Sequence, residues 1–249
     1  MDNEIKDEDY QYDNGFHPKE VKLKSNYRFY RKNIFYKMLN KFWIILDTIY
    51  MIFPKYLLWG YKTVGKKNKK YAKGAVIVQN HVHPMDGFTL LSAFPSKRIY
   101  ITMLESNLGF GIVSHIFRNC GCVPIPTDST MFKKFYRKTI ETLKEGYTIT
   151  VFPEAMLYPY CNHIRKFHNG AFKFAYDSNK VILPCVTTYH KPKGFYKLVR
   201  RKKPCIHYNI LEPYYIEDLG NKKLSIDKAM EDVHKIMFDY YEKNSDYFK

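Results

Sequence analysis

The sequence predicts an α/β fold: a central sheet, mostly parallel or mixed and flanked by helices, preceded by an N-terminal membrane-associating helical segment. Three observations carry this. From residue 74 onward, short apolar runs alternate with helical stretches, the pattern of a sheet covered by helical layers. The runs are apolar throughout instead of at every second position, as in strands buried on both faces. Before residue 74 the composition differs: from Val21 to Lys73 the only acid is Asp47, and Lys and Arg alternate with aromatics. Three parts follow, namely an acidic mobile tail (1–20), a basic and aromatic amphipathic helical segment at a membrane interface (21–60), and an α/β domain (61–249).

Taken in order, Ile34 to Phe53 is long enough for a helix and apolar nearly all round, with one narrow polar stripe of Lys37, Asn40, Lys41, Asp47 and Thr48. Lys41, Asp47, Pro54 and Lys55 break it short of the roughly 18 uncharged residues a crossing helix needs. Flanking Lys and Arg with Trp43, Trp59 and several tyrosines suit a helix pair lying among lipid headgroups, the alternative being a buried core helix. "GAVIVQN" (74–80), "RIYITML" (98–104) and "VPIP" (123–126) are strand candidates. "STMFKKFYRKTIETLKEG" (129–146) reads as a helix capped by Ser129 or Thr130 and stopped by Gly146. "YTITVFPE" (147–154) is a strand and 169–180 a short helix. Strands at 181–190 and 204–211 follow, and an amphipathic helix at 225–243 closes the chain.

A formal net charge of +17 on 249 residues favours anionic partners: nucleic acid, anionic lipid or phosphorylated substrates. Lysines interleaved with tyrosines could stack on bases, but the apolar Phe42–Phe53 run makes a poor nucleic-acid surface, so an anionic membrane is the expected partner. The five cysteines form no CxxC pair and are odd in number, which argues for reduced thiols and a cytoplasmic setting. The acidic, polar start resembles no secretory signal. The expected location is the cytoplasmic face of a membrane, peripheral or monotopic.

The chemistry centres on "VQNHVHPMDG" (78–87). Pro84 pushes His83 to an extended conformation and favours helix initiation there. Asp86 then falls in the first helical turn, able to fold back toward His81 at the strand end. An imidazole whose other nitrogen is held by a carboxylate is a general base. No GxSxG nucleophile elbow exists, so a bound hydroxyl deprotonated by His81 would attack an acyl donor directly. A metal-dependent hydrolase using His81, His83 and Asp86 is the competing reading. It is weakened because paired-zinc hydrolases show HxHxDH, whereas here the aspartate is one place late and Gly87 follows it.

"NHVHPMD", "GCVPIP" (121–126), "VFPEAM" (151–156) and "VILPCVT" (181–187) occur in that order. Together these blocks resemble the lysophospholipid acyltransferase family, also called PlsC-like or 1-acylglycerol-3-phosphate acyltransferases, from about Tyr61 to Pro213. The resemblance implies a glycerolphosphate acyltransferase-like fold and a role in phospholipid biosynthesis. It implies His81 as the base and Asp86 as the residue orienting it. Asn80, Gly121, Pro153, Glu154 and Pro184 would shape the acceptor site. The donor would be acyl-CoA or acyl carrier protein, with no metal and no other cofactor. Two departures matter: Ala155, Met156 and Leu157 stand where the family has Gly-Thr-Arg, and Pro126, Thr127 and Asp128 where it commonly has an arginine. Lys133, Lys134, Arg165 and Lys166 are the candidate substitutes for phosphate binding. Otherwise the acceptor lacks a phosphomonoester, as a different lysolipid or a glycolipid would.

Overall fold

The computed structural model describes residues 18–95, 98–200 and 202–249. Most of the acidic N-terminal segment lies outside the described residues. Seven strands form one sheet in the order β1-β7-β6-β2-β5-β3-β4. They are β1 (Lys62–Val64), β2 (Val76–Gln79), β3 (Ile99–Leu104), β4 (Cys122–Ile125), β5 (Thr148–Val151), β6 (Ile182–His190) and β7 (Cys205–Ile210). All neighbours are parallel except β6 and β7. Every residue of β2 and β5 is buried, which is why these strands carry unbroken apolar runs instead of an alternation. The helices are α1 (Ile34–Ile52), α2 (Asp86–Ala93), α3 (Ile112–Asn119), α4 (Ser129–Lys144), α5 (Gly170–Ser178), α6 (Tyr196–Val199) and α7 (Lys222–Asn244).

Several expectations are corrected. Asp128, not Ser129 or Thr130, caps α4 by accepting from the Met131 amide at 2.8 Å. Helix α2 begins at Asp86, with Pro84 in the turn before it. Residues 18–33 are not helical but form an irregular strap tied across the β3–β4 side. Glu105 anchors it, accepting from the Leu23 amide at 3.2 Å while also accepting from the Thr127 amide and hydroxyl. Phe29 of the strap packs edge-on against Phe135 of α4, with ring centroids 5.5 Å apart, so burial of aromatics wins over helix propensity here.

A single helix with a π-helical continuation (Phe53–Leu58) replaces the expected pair. Its polar stripe turns inward: Asn40 donates to the Asn119 carbonyl at 2.7 Å, and Asp47 is buried. Ile34, Phe35, Met38, Phe42, Ile49 and Tyr50, by contrast, are each more than half exposed. A water-facing helix has the opposite polarity. None of the described helices is long and apolar enough to cross a membrane.

Under α1, Asp47 has one carboxylate oxygen without a partner. Burial pushes its carboxyl up to about 7, against the pull of Lys55. Burial also lowers Lys55 to about 8, although its ammonium lies over the Tyr61 ring and donates to the Thr89 carbonyl at 3.3 Å. Because the folded pKa of Asp47 lies above its unfolded value, its contribution is intact below about pH 4 and is lost as pH rises through about 7. Asp47→Asn is therefore expected to stabilise the protein by on the order of 2 kcal/mol at pH 8 and by little at pH 4. Urea midpoints of both proteins at the two pH values check this; a gain independent of pH would refute it.

Candidate active site

The central strand β2 ends where its neighbours β5 and β6 also direct their chain toward one edge, the usual place for a ligand crevice in an open α/β sheet. Asn80 holds this end. Its side chain accepts from the Thr187 amide at 2.8 Å and donates to the Thr187 carbonyl at 3.1 Å, continuing onto β6 a ladder that β2 itself stops making at Gln79. The backbone is thus free to turn at His81.

Asp86, the first residue of α2, closes the turn. One oxygen, Oδ2, accepts from the Val82 amide (2.9 Å), the His83 amide (2.9 Å) and His81 Nδ1 (3.0 Å). A carboxylate at a helix start is favoured by the helix dipole, and Asp86 is nearly inaccessible. With Nδ1 donating to Asp86, His81 carries its lone pair on Nε2. Stacking on Phe152, with ring centroids 4.1 Å apart, fixes the plane of the imidazole, whose side chain remains 22% exposed.

Glu154 supports the turn from the end of β5. It accepts from the His81 amide at 3.1 Å and from the Arg165 amide at 3.1 Å, and it pairs with the Arg165 guanidinium at 2.9 Å. Burial raises the Glu154 carboxyl, while Arg165 and the two amides oppose this. The following loop covers the turn, with the Tyr158 amide donating to the His81 carbonyl and the Tyr160 amide to that of Val82. His83 points elsewhere. Its buried ring packs edge-on against Trp59 at 4.9 Å, its Nδ1 accepts from the Met85 amide at 3.2 Å, and burial lowers its pKa. Among the described residues no three His, Cys, Asp or Glu side chains converge as metal ligands, and the ring of His83 does not join His81 and Asp86 in a shared ligand set.

A family model for acyltransferases matches residues 61–188. The chain belongs to the acyltransferase family. No curated protein matches it in sequence. Among solved structures it is similar to the 1-acyl-sn-glycerophosphate (LPA) acyltransferase PlsC from Thermotoga maritima, with a TM-score of 0.54 and 20% identity over 84% of this chain and 79% of that one. At that identity the likeness speaks for the fold.

In this acyltransferase the candidate residues separate into groups. His81, Asp86, Asn80, Pro153 and Glu154 come together, and Pro184 lies in the sheet beneath them, opposite Val78. Gly121 does not join them. It precedes β4, three strands from β2 and at the opposite end of the strands. There its positive φ of 97° and the Ile99 carbonyl, 2.7 Å from where a Cβ would stand, require glycine for backbone reasons. Arg165 is committed to Glu154 and buried, which removes it as a phosphate ligand. Lys134 donates to the Ser25 carbonyl, Lys133 is exposed on α4, and Lys166 is exposed beside Arg165. At the second departure, Thr127 binds Glu105 and Asp128 caps α4, so neither leaves a cation there.

Arg200 and Lys203 were not among the sequence candidates, yet their charges help depress His83. The "RRKKP" run is plain in the sequence. That Arg200 and Lys203 lie at this edge follows from β7 running antiparallel to β6, which no local pattern encodes.

The loop after β5 also keeps a glycine-like conformation without the glycine: Ala155 has φ 63°. A left-handed alanine costs about 1–2 kcal/mol, partly offset by the unfolded-state entropy a glycine would add. Ala155→Gly is expected to raise stability by up to about 1 kcal/mol, read as a rise in urea midpoint. A fall in the midpoint would show that the conformation is unstrained.

Proposed function

We propose that the protein is a membrane-surface O-acyltransferase that moves a fatty acyl group from a thioester, acyl-CoA or acyl carrier protein, to the free hydroxyl of a lysophospholipid. The observation that carries this is the Asp86–His81 pair with Nε2 as its outward base, in a chain of the acyltransferase family. His81 Nε2 takes the proton from the acceptor hydroxyl as the oxygen attacks the thioester carbonyl. The tetrahedral intermediate collapses, the C–S bond breaks as the ester C–O bond is kept, and the proton passes from His81 to the departing thiolate. Asp86 holds the ring and stabilises the imidazolium.

The exposed apolar face of α1 and its π-helical end supports docking at the lipid interface, where such a face is buried. The π-helical end leads into Trp59, whose ring touches His83. An acceptor could thus reach His81 while its chains stay among those of the membrane.

The acceptor headgroup has two readings. A lysophosphatidate-like acceptor would need cations near His81, for which Lys203, whose charge is felt at His83, is a candidate. The neutral loop at Ala155–Leu157 and the commitment of Arg165 favour an acceptor without a phosphomonoester. Acyl transfer across a panel of lysolipids with both donor types separates them.

His81→Ala is expected to lower the transfer rate by about 10²–10⁴-fold while the fold and vesicle binding persist, and His83→Phe to keep most of the activity. A fully active His81→Ala protein would sink the proposal.

A further inference from the structure

Far from His81, the first half of α1 and the starts of β3 and β5 enclose a cavity of about 400 Å³. Four cations line it, Arg31, Lys37, Lys41 and Arg98, and no acid does. None of the four has a carboxylate partner among the described residues, whereas the adjacent Lys32 is neutralised by Glu145 at 2.8 Å. Like charges gathered without counter-charges repel unless an anion joins them.

The cavity is built to hold these cations in place. The Arg31 guanidinium lies over the Tyr36 ring at 5.5 Å, and that of Arg98 over the Tyr147 ring at 5.8 Å. Such stacking leaves the edge donors of a guanidinium free for an oxyanion. Tyr100 donates to the Arg31 carbonyl at 2.7 Å and so fixes the backbone of that wall.

Position narrows the ligand. Ile34 and Met38, both lining the cavity, also belong to the exposed apolar face of α1. Lys37 and Lys41 sit one turn apart on the flank where that face meets the body. An anion here has water-excluding aliphatic surface on one side and fixed cations on the other, the environment of a phospholipid phosphate at a membrane interface. The site is distinct from the acyl-transfer site: α1 has 19 residues, about 28 Å of helix, and His83 is met only beyond its other end.

We propose that this cavity binds the phosphate of a membrane phospholipid that is not the substrate, and so fixes how α1 lies on an anionic bilayer. The inference rests on the docking of α1 proposed above but not on the reaction, because binding is read directly.

The experiment is sedimentation of the full chain with vesicles of phosphatidylcholine alone and with phosphatidylglycerol added. Arg31→Gln/Arg98→Gln is expected to lose the preference for anionic vesicles by about tenfold or more, with residual binding to phosphatidylcholine retained. Lys37→Gln/Lys41→Gln, changed on the helix flank where folding is not at stake, should lose it in the same direction. The charge-matched control Lys173→Gln/Lys243→Gln, on exposed positions of α5 and α7, should lose much less. Equal losses in control and cavity variants would mean diffuse attraction and overturn the site. Failure of all proteins to bind either vesicle would overturn the docking of α1 itself, leaving acyl transfer in detergent as a separate question. Inorganic phosphate that binds wild type but not Arg31→Gln/Arg98→Gln in the absence of lipid, and abolishes the vesicle preference, would overturn the lipid in favour of a soluble phosphate ligand.

Discussion

One oxygen atom organises the site. Oδ2 of Asp86 gathers two backbone amides and an imidazole nitrogen within 3.0 Å, so the turn, the helix start and the tautomer of His81 are set together. The same oxygen that receives the two amides also receives Nδ1, which makes Nδ1 the protonated nitrogen of the ring. The rest of the core serves this arrangement. Asn80 ends the strand at the right residue, Glu154 receives the amide of His81, and Arg165 compensates the charge of Glu154 where neither is accessible. Removing one partner of such a buried pair strands the other charge, which is costlier than never having had the pair.

This accounts for what was legible in advance. The strand runs of β2, β3, β5 and β6 were readable because burial on both faces leaves an apolar signature in one short segment. The pairing of His81 with Asp86 was readable because only four residues lie between them and the tight turn before α2 folds Asp86 back. Where a side chain's partner lay far along the chain, local reading failed. Arg165 looked like an available cation because its neutralising partner is eleven residues earlier, across a loop. Gly121 looked like a pocket residue, although its φ and its close approach to Ile99 are purely backbone demands. Strand β1, three residues long and bearing a lysine, has no periodicity to detect; it exists because β7 offers it an edge.

The N-terminal segment shows the same limit in another form. Its composition announced a helix too apolar for water, and the narrow polar stripe was visible. Which way that stripe faced was not. Asn40 finds a carbonyl at the end of α3 and Asp47 settles near Lys55, so the polar groups are satisfied, incompletely, by the domain. Once they turn inward, helical geometry forces the remaining arc, nearly all apolar, outward. The exposed face of α1 is therefore a consequence of how the helix is fastened, and its lining-up with Trp59 and the His81 edge follows from the length of one helix.

The antiparallel strand β7 has the widest consequences for the charge at this edge. Were β7 parallel to β6, the residues before it would emerge at the far edge of the sheet, and Arg200 and Lys203 would have no influence on His83. Reversed, β7 starts at the sheet edge where β2 ends, and the charges of Arg200 and Lys203 are felt at His83. Positive charge thus reaches this edge from the segment before β7, while Ala155, Met156 and Leu157 after Glu154 carry none. The Asp86–His81 pair and the basic residues before β7 thus come from separate parts of the chain and are fastened by separate contacts.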